Sequence, residues 1–445
     1  MKILFVGPAT SLHMVRWINQ LEGAGFDVHI FPVEPTPLHP KFRNVTLHHA
    51  VFNRRPFDEQ DVAKLGLLCA PSTEETPSGG WALGRRHKRF DRSVSQTGWP
   101  WPFREGARKI EQGLEKLAPK RFSRAAALAR TIRRIKPDLV HSLEMMTGGY
   151  LALAAKAELE RDALKLNRKP PLGAVFPPWV LSNWGCDLQL FAQLAEHEQR
   201  ARQIMAQCDY YSAECARDIK LARSFGFTGR ALAVRPNASV FDLERVRKMR
   251  QPGPTSERRM ILLKGYQDWH GRALIALQAM EKVQELLTDY KIGIYLAAPA
   301  VRVAAELMSR RTGIDVEFIP FSSHDHMMKL HGQSRISMGV SISDGIPSAL
   351  LEAMAMGSFP IQSDTSCADE WITDGETGLL IPGEDVLATA EALRTALIDD
   401  DLVNGAAEAN GNVAEAKMDL VKVRSEVAAA YRQLIEENRL RKVVA

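Results

Sequence analysis

Ser343-Asp344-Gly345-Ile346-Pro347-Ser348-Ala349-Leu350-Leu351-Glu352-Ala353-Met354-Ala355-Met356-Gly357 sets two carboxylates eight positions apart, with Gly-x-Pro at the start of the interval and strong helix formers at its end. Gly345 lets the backbone approach a ligand closely or take a positive φ. Pro347 has no N–H to lose in the first turn of a helix. The spacing predicts a helix over 348–356, with Asp344 just ahead of its N-terminus and Glu352 inside it. A helix N-terminus offers unpaired N–H groups and the positive end of a dipole, which suits an anion. Carboxylates accept well from paired sugar hydroxyls, so the segment has the chemistry to hold a phosphate and a sugar side by side. An amphipathic core helix with one exposed Glu is the plainer explanation of the same string.

The chain leading into this stretch alternates short apolar runs with helical patterns. Strands are expected over 260–263, 292–296, 316–319 and 336–340, and helices over 272–287, 301–309 and 326–331. Asp344 then follows a strand, at the C-terminal edge of a parallel sheet, where ligands of open α/β sheets bind. The first half starts the same way: strand 3–6, helix 11–24 closed by Gly25, strand 28–31. This β-α-β opening implies a parallel sheet with helices on both faces. A basic helix is expected over 121–134, a strand over 138–141, further strands near Val175 and over 210–212, a helix over 217–225 and a strand over 232–234. Residues 52 to about 105 are rich in Pro, Gly, Ser and charge and read as a long insertion. The charged run from 242 and Gln251-Pro252-Gly253-Pro254 read as an interdomain linker. The expected organisation is a first doubly wound, Rossmann-like domain over 1–245, with a basic insertion over about 52–125. A second such domain covers 257–415, and a closing amphipathic helix covers 416–445.

The 343–357 string resembles the donor-binding motif of the retaining glycosyltransferases of family 4 (glycosyl transferases group 1), in which two glutamates flank seven residues ahead of Ala-Met-Ala-x-Gly. Glu352 matches the second glutamate, and Asp344, one methylene shorter, stands at the first. Asp374-Gly375-Glu376-Thr377-Gly378-Leu379-Leu380-Ile381-Pro382 resembles the family's Asp-Gly-x-x-Gly hairpin, and Glu370 matches the acid of the helix before it. The resemblance is strongest over 340–385 and weakest over 50–125. It implies a GT-B fold: α/β, two Rossmann-like domains facing a cleft, with the last helix crossing back to the first domain. It also implies that Glu352 binds the ribose diol of a nucleotide and that Asp344 faces the transferred sugar, with Gly345, Ile346, Pro347 and Ser348 lining the donor site.

The resemblance assigns the other candidates. Lys264-Gly265-Tyr266 and His270-Gly271-Arg272 stand where the family carries an Arg and a Lys gripping the diphosphate. Tyr266 occupies the Arg position and His270 lies near the Lys position, so Lys264 and Arg272 are the expected replacements, because a leaving diphosphate needs cationic or N–H neutralisation. Gly7, His13 and Arg16, in the first strand–helix loop and one helical turn beyond, resemble the loop that approaches phosphate and acceptor. His141-Ser142-Leu143-Glu144 resembles a His-x-His-acid strand end with Leu143 replacing the second His. Asp187 in Trp184-Gly185-Cys186-Asp187 is placed facing the cleft, although a lone loop Asp is more often a turn residue.

Length and composition fit this picture. The chain has 445 residues, 45% hydrophobic and 25% charged, the proportions of an ordinary soluble protein of two to three domains. Its N-terminus is too quickly broken to be a signal peptide. No apolar run reaches the 18 or so residues of a spanning helix. Five scattered cysteines without metal-ligand spacing suit a reducing cytoplasm and give no disulfide framework. Between Arg85 and Lys136, 16 Lys/Arg face four acids, a local +12 that leaves about −7 for the remainder. A solvated helical face explains that charge; so does an anionic lipid surface, with Trp99-Pro100-Trp101-Pro102-Phe103 as interfacial aromatics. No nucleic-acid-binding module accompanies it.

The expected activity is retaining transfer of a sugar from a nucleotide diphosphate donor to a glycan or lipid-linked glycan, without a metal or other cofactor, as in cell-surface polysaccharide or lipopolysaccharide synthesis. The expected location is cytoplasmic, with the inner leaflet of the cell membrane as an optional surface. Alternatives are a nucleotide-sugar epimerase of the same fold and a non-catalytic assembly partner, the latter motivated by Asp344, Tyr266 and Leu143.

Overall fold

The computed structural model describes residues 1–34, 39–48, 123–165 and 176–444. The expected insertion over 52–105, the aromatic run Trp99–Phe103, the strand near Val175 and residues 85–122 of the basic stretch lie outside the described residues.

Two all-parallel sheets organise the described residues. The first contains β1 (Lys2–Gly7), β2 (Asp27–Pro32), β3 (Val45–Leu47), β4 (Leu139–Leu143), β5 (Trp179–Ser182), β6 (Tyr210–Ser212) and β7 (Arg230–Ala231), in the order β3-β2-β1-β4-β5-β6-β7. The second contains β8 (Met260–Lys264), β9 (Lys291–Tyr295), β10 (Asp315–Ile319), β11 (Ile336–Gly339), β12 (Phe359–Ser363) and β13 (Leu379–Ile381), in the order β10-β9-β8-β11-β12-β13. The strand order reverses between β1 and β4 and again between β8 and β11. The carboxyl ends of those strands are therefore the two ligand-binding crevices of the fold.

The central strands are apolar throughout because helices cover both faces: Ile3 to Val6 and Ile261 to Leu263 are all fully buried. Helix α1 (Leu12–Asn19) begins at Ser11, whose Oγ accepts from His13 N at 3.2 Å, and buries Met14, Val15, Trp17 and Ile18. It ends five residues short of the expected Ala24, and successive turns carry the chain to Gly25 at φ 80°. Helix α2 (Arg124–Ile135) is capped by Ser123 and buries Ala126, Ala127, Leu128, Ala129 and Ile132, leaving Arg130, Arg133 and Arg134 outside. Then follow α3 (Tyr150–Lys165), the short α4 (Cys186–Gln189), α5 (Ala195–Met205) and α6 (Ala216–Ser224). In the second domain come α8 (Ala273–Lys282), α9 (Pro299–Thr312), α10 (His324–Gln333), α11 (Ser348–Met356), α12 (Val386–Ile398) and α13 (Asp400–Lys417). Helix α11 has the predicted bounds and ends on Gly357 at φ 72°.

Three sequence expectations are corrected. The strand expected over 232–234 is the two-residue edge strand Arg230–Ala231, because Leu232 instead packs into the first-domain core. The expected linker contains a capped helix, α7 (Leu243–Met249), started by Asp242. The Asp374–Pro382 segment is no two-stranded hairpin: a tight turn, in which Gly375 N donates to Gly378 O, feeds β13, which pairs parallel with β12.

The last helix, α14 (Leu420–Val444), starts beside the domain crossover, where Phe241 N donates to Met418 O and Leu420 N to Phe241 O. It runs back over the first domain, and Val423, Val427, Tyr431, Leu434 and Ile435 join the core of Ile3, Phe5, Trp17 and Val28. Each such side chain is worth about 1.5–3 kcal/mol when fully buried. The expected crossing helix is therefore present. Among the described residues no helix is long and apolar enough to cross a membrane.

Candidate functional site

Helix α11 carries Glu352 into the second crevice. No side chain caps its N-terminus; Leu350 N donates back to Pro347 O at 3.0 Å, and the Ser348 and Ala349 N–H groups ahead of it have no acceptor within the helix. Glu352 is buried, and its Oε1 lies 2.9 Å from His324 Nε2 and 3.6 Å from Arg16 Nη2. His331 Nε2 lies 3.7 Å from Oε2, and its Nδ1 pairs with Ser337 Oγ at 2.9 Å. Burial alone would raise the Glu352 carboxyl, but His324, Arg16 and His331 together hold it down at about 2. Burial pushes the His331 imidazole down to about 4, so it is neutral at pH 7. Glu352 is thus a carboxylate held ionised in spite of its burial.

Asp344 sits at the head of the same loop. Its Oδ1 accepts from Gly345 N at 2.8 Å, and its Oδ2 lies 3.8 Å from Lys264 Nζ. Lys264 ends β8 and lies over the Tyr266 ring, 4.6 Å from the centroid, so the aromatic ring that replaces the family's cation supports a neighbouring one. Ile346 packs toward the apolar cluster beneath α11, Pro347 precedes the helix, and Ser348 Oγ accepts from Ser239 of the first domain at 2.9 Å.

The opposite wall is α1 and the first crevice. Arg16 donates to Ala238 O at 3.3 Å as well as reaching Glu352. His13 keeps water contact yet lies between the domains, its ring 5.7 Å from Trp184. Although the residue is exposed, the protein groups crowded around its ring, followed by the charge of Arg16, lower its pKa, with Asp344 acting the other way. Gly7 is needed for packing, since a Cβ there would lie 3.1–3.2 Å from Met14 and Leu143. Glu144 follows β4 with φ 66°, a strained conformation for a residue with a Cβ, and opens a π-helical turn, Glu144–Gly149. Thr147 Oγ1 donates to its carboxylate at 2.7 Å, and burial followed by Glu34 raises its pKa against that bond.

The two walls meet. A Cβ on Gly185 would lie 2.9 Å from Asp344 Oδ1, and one on Gly345 would lie 3.0 Å from Gly185 Cα, so only glycines allow this approach. Arg217 in α6 donates to Asp344 O at 2.9 Å and Thr365 O at 3.3 Å. Glu370 of the second domain accepts from Ala216 N and Arg217 N at 2.7 and 2.8 Å and so caps a first-domain helix that has no cap of its own. Sequence reasoning placed the Trp184–Asp187 loop at the cleft, where Gly185 is the residue that makes the contact, and missed Arg217, His324 and His331. Nothing local marks them, since each acts on a partner far along the chain.

Four candidates occupy other places. His141 is buried beneath α14, with Nδ1 2.6 Å from Tyr431 Oη and Nε2 2.8 Å from Ser182 Oγ, so it binds the last helix rather than the cleft. Asp187 is buried too, and its Oδ2 accepts from Met145 N and Trp184 N at 2.8 and 2.9 Å. It ties the end of β4 to the Trp184 loop, and burial together with Glu144 pushes its carboxyl up to about 8. Arg272 pairs with Glu384 at 2.9 Å and with the carbonyls of Asp268 and Gly271, and reaches neither motif carboxylate. His270 Nδ1 lies 2.7 Å from Asp268 Oδ1, with its ring against Trp269 at 4.1 Å, and its carbonyl accepts from Ile342 N. It braces the motif loop from behind. Gly265 is fixed by packing against Ala297.

Residues 247–412 match the family described as glycosyl transferases group 1. The match covers the second domain and agrees there with the group 1 glycosyltransferase resemblance read from the motif. No protein of curated function matches the chain in sequence. Among solved structures, sucrose-phosphate synthase from Thermosynechococcus elongatus is similar at 14% identity and a TM-score of 0.61, over 98% of this chain and 100% of that one. HepE of Anabaena, solved with UDP and glucose, is similar at 13% identity and 0.61, over 97% and 100%. A trehalose-6-phosphate protein of E. coli, bound with UDP-2-fluoro glucose, is similar at 14% identity and 0.60, over 98% and 99%. These similarities establish the two-domain GT-B fold for the described residues.

Proposed function

We propose that the chain is a retaining glycosyltransferase that moves a sugar from a nucleoside diphosphate to a glycan or lipid-linked glycan. The observation that carries this reading is the meeting of α11 and α1 across the cleft: a carboxylate held ionised, Glu352, lies 3.6 Å from Arg16 of the opposite domain. Glu352 has the burial and charge to accept both hydroxyls of a ribose diol. When nucleotide enters, the ribose takes the place of Arg16 on Glu352. Arg16 is then freed to meet phosphate beside Lys264 and the uncapped N–H groups of α11.

These groups neutralise the leaving diphosphate without a metal ion. The leaving phosphate oxygen takes the acceptor hydroxyl's proton as that hydroxyl attacks from the same face, so the anomer is retained and no protein nucleophile is needed. Asp344 orients the sugar. Closure around Gly185 and Gly345 excludes water, which would otherwise hydrolyse the donor. The complexes of the similar proteins make uridine nucleotides the first to try. The basic stretch over 85–136 supports association with an anionic inner leaflet and hence a lipid-linked acceptor.

The test is thermal denaturation with UDP, GDP, ADP and CDP, followed by the anomer of the product. A nucleotide at 100 times its Kd stabilises the folded state by about 2.7 kcal/mol. Stabilisation by one diphosphate and a product of unchanged anomer are expected. An inverted anomer would refute retention, and a changed sugar in donor alone would make the protein an epimerase.

A further inference from the structure

One set of cross-domain contacts holds two groups that transfer does not use. Cys215, just ahead of α6 in the first domain, and Cys367, just ahead of the 3₁₀ turn Ala368–Glu370 in the second, are both fully buried. The Cys367 thiol donates to Cys215 Sγ at 2.7 Å. Around this pair lie the Glu370 cap on Ala216 and Arg217 and the Arg217 bonds to Thr365 O and Asp344 O. Cys367 N also donates to Gly345 O at 3.0 Å, which ties the sulfur to the motif loop itself.

A metal ion is the competing occupant, because the Asp218 carboxylate and both sulfurs lie within 4.8 Å of one another. The surroundings argue against one. Asp218 Oδ1 accepts from Arg217 at 3.0 Å and Oδ2 from Asn183 at 2.6 Å, so both oxygens are engaged and a guanidinium stands beside them. Two thiolates on a tetrahedral zinc would also sit roughly 3.8 Å apart at bond lengths of about 2.3 Å.

We propose that Cys215 and Cys367 form a reversible disulfide across the domain boundary, which fixes the closed arrangement and stops nucleotide from entering or leaving. The oxidant is a low-molecular-weight disulfide. Both sulfurs are sealed while the domains are closed, so reaction begins when they part. One protein thiolate then attacks the small disulfide, bonds to one half and expels the other half as a thiolate. On reclosure the second protein thiol loses its proton to solvent, attacks the protein-bound sulfur and expels the remaining half. Two protein thiols are oxidised by two electrons, and the small disulfide is reduced to two thiols. A dithiol reductant reverses the step.

The full chain is incubated with glutathione disulfide, remaining thiols are alkylated, and the unreduced digest is read by mass spectrometry. A Cys215–Cys367 cross-linked peptide is expected in the wild type and in Cys208→Ser, and is expected to be absent from Cys215→Ser and Cys367→Ser. Hydrogen exchange at the Gly185 and Gly345 amides should slow at least tenfold on oxidation and recover with dithiothreitol; neither readout requires nucleotide. Release of a fluorescent UDP analogue should slow by a similar factor in the oxidised wild type and in oxidised Cys208→Ser, and not in Cys215→Ser or Cys367→Ser. Glutathione adducts on both cysteines without a cross-link, or unchanged exchange in the cross-linked protein, would overturn the proposal. Zinc alone protecting both thiols at one ion per chain would overturn it in favour of a metal site. If UDP fails to bind while the cross-link slows exchange, the latch stands and the choice of nucleotide falls.

Discussion

Glu352→Gln removes one charge from a pocket that the structure arranges around it. The carboxyl is held at about 2 against an ordinary 4.5, in spite of burial, by His324, Arg16 and His331. A depression of that size corresponds to about 3 kcal/mol of stabilisation of the charged form, at about 1.4 kcal/mol per pKa unit. Gln keeps an oxygen that can still accept from His324, so the expected loss at pH 7 is about 1–3 kcal/mol. The sign follows from linkage. A carboxyl with a lowered folded pKa contributes stability that is fully present above its unfolded value and is lost as pH falls through its folded value. The gap between the wild type and the Glu352→Gln variant should therefore be constant above about pH 5 and shrink between about pH 4.5 and 2. His331, buried neutral with its pKa lowered to about 4, destabilises both proteins as pH drops below about 6.5, so the difference between them is the quantity to read. Urea unfolding followed by a second-domain probe, repeated across pH, measures it. A gap below about 0.5 kcal/mol at pH 7, or one that persists undiminished at pH 2.5, would refute the reasoning.

Gly345→Ala places a Cβ 3.0 Å from Gly185 Cα; it should leave the unfolding free energy within about 0.5 kcal/mol of wild type while lowering transfer at least tenfold, as kinetics and melts together would check. Asp187 has a carboxyl raised to about 8, so its burial costs stability increasingly as pH climbs from about 4 through 8. Asp187→Asn keeps an acceptor for Met145 N and Trp184 N, and should match or exceed wild type in denaturant midpoint at pH 8.5. Tyr431→Phe leaves the His141 Nδ1 position without its 2.6 Å partner and should cost about 1–3 kcal/mol. It should leave nucleotide affinity unchanged in titration, because the pair lies under α14 rather than in the cleft.

The β-α alternation from Met260 onward was legible because fully buried parallel strands are uniformly apolar and their helices carry the complementary period. Helix α11 was legible to the residue, since Pro347 and Gly357 mark its two ends. The edge of the first sheet was not: Leu232 has strand character, but a core place beside α14 outweighs two more residues of edge pairing. Asp374–Pro382 was recognisable as a motif, but whether it returns antiparallel or feeds a parallel edge strand depends on β12 alone. Among site residues, Glu352 and Asp344 were readable because the motif is local. His141 carried the right local pattern, and its partner Tyr431 lies 290 positions away. Arg272 was chosen for its charge, which Glu384, 112 positions on, engages. The sulfur pair joins residues 152 apart, so scattered cysteines in the sequence are a cross-domain contact in the fold.

The central claim is that Glu352 reads the ribose of a nucleoside diphosphate in a two-domain cleft. Calorimetric titration of UDP and 2′-deoxy-UDP into wild type and Glu352→Gln forms a double-mutant cycle on that contact. A hydrogen bond to a charged group is worth about 1.5–3 kcal/mol, so the wild type should prefer the ribonucleotide by roughly 10- to 150-fold. The Glu352→Gln variant should lose most of that preference. Equal affinity of the wild type for both nucleotides, or no binding of either while another nucleoside diphosphate also fails, would contradict the account.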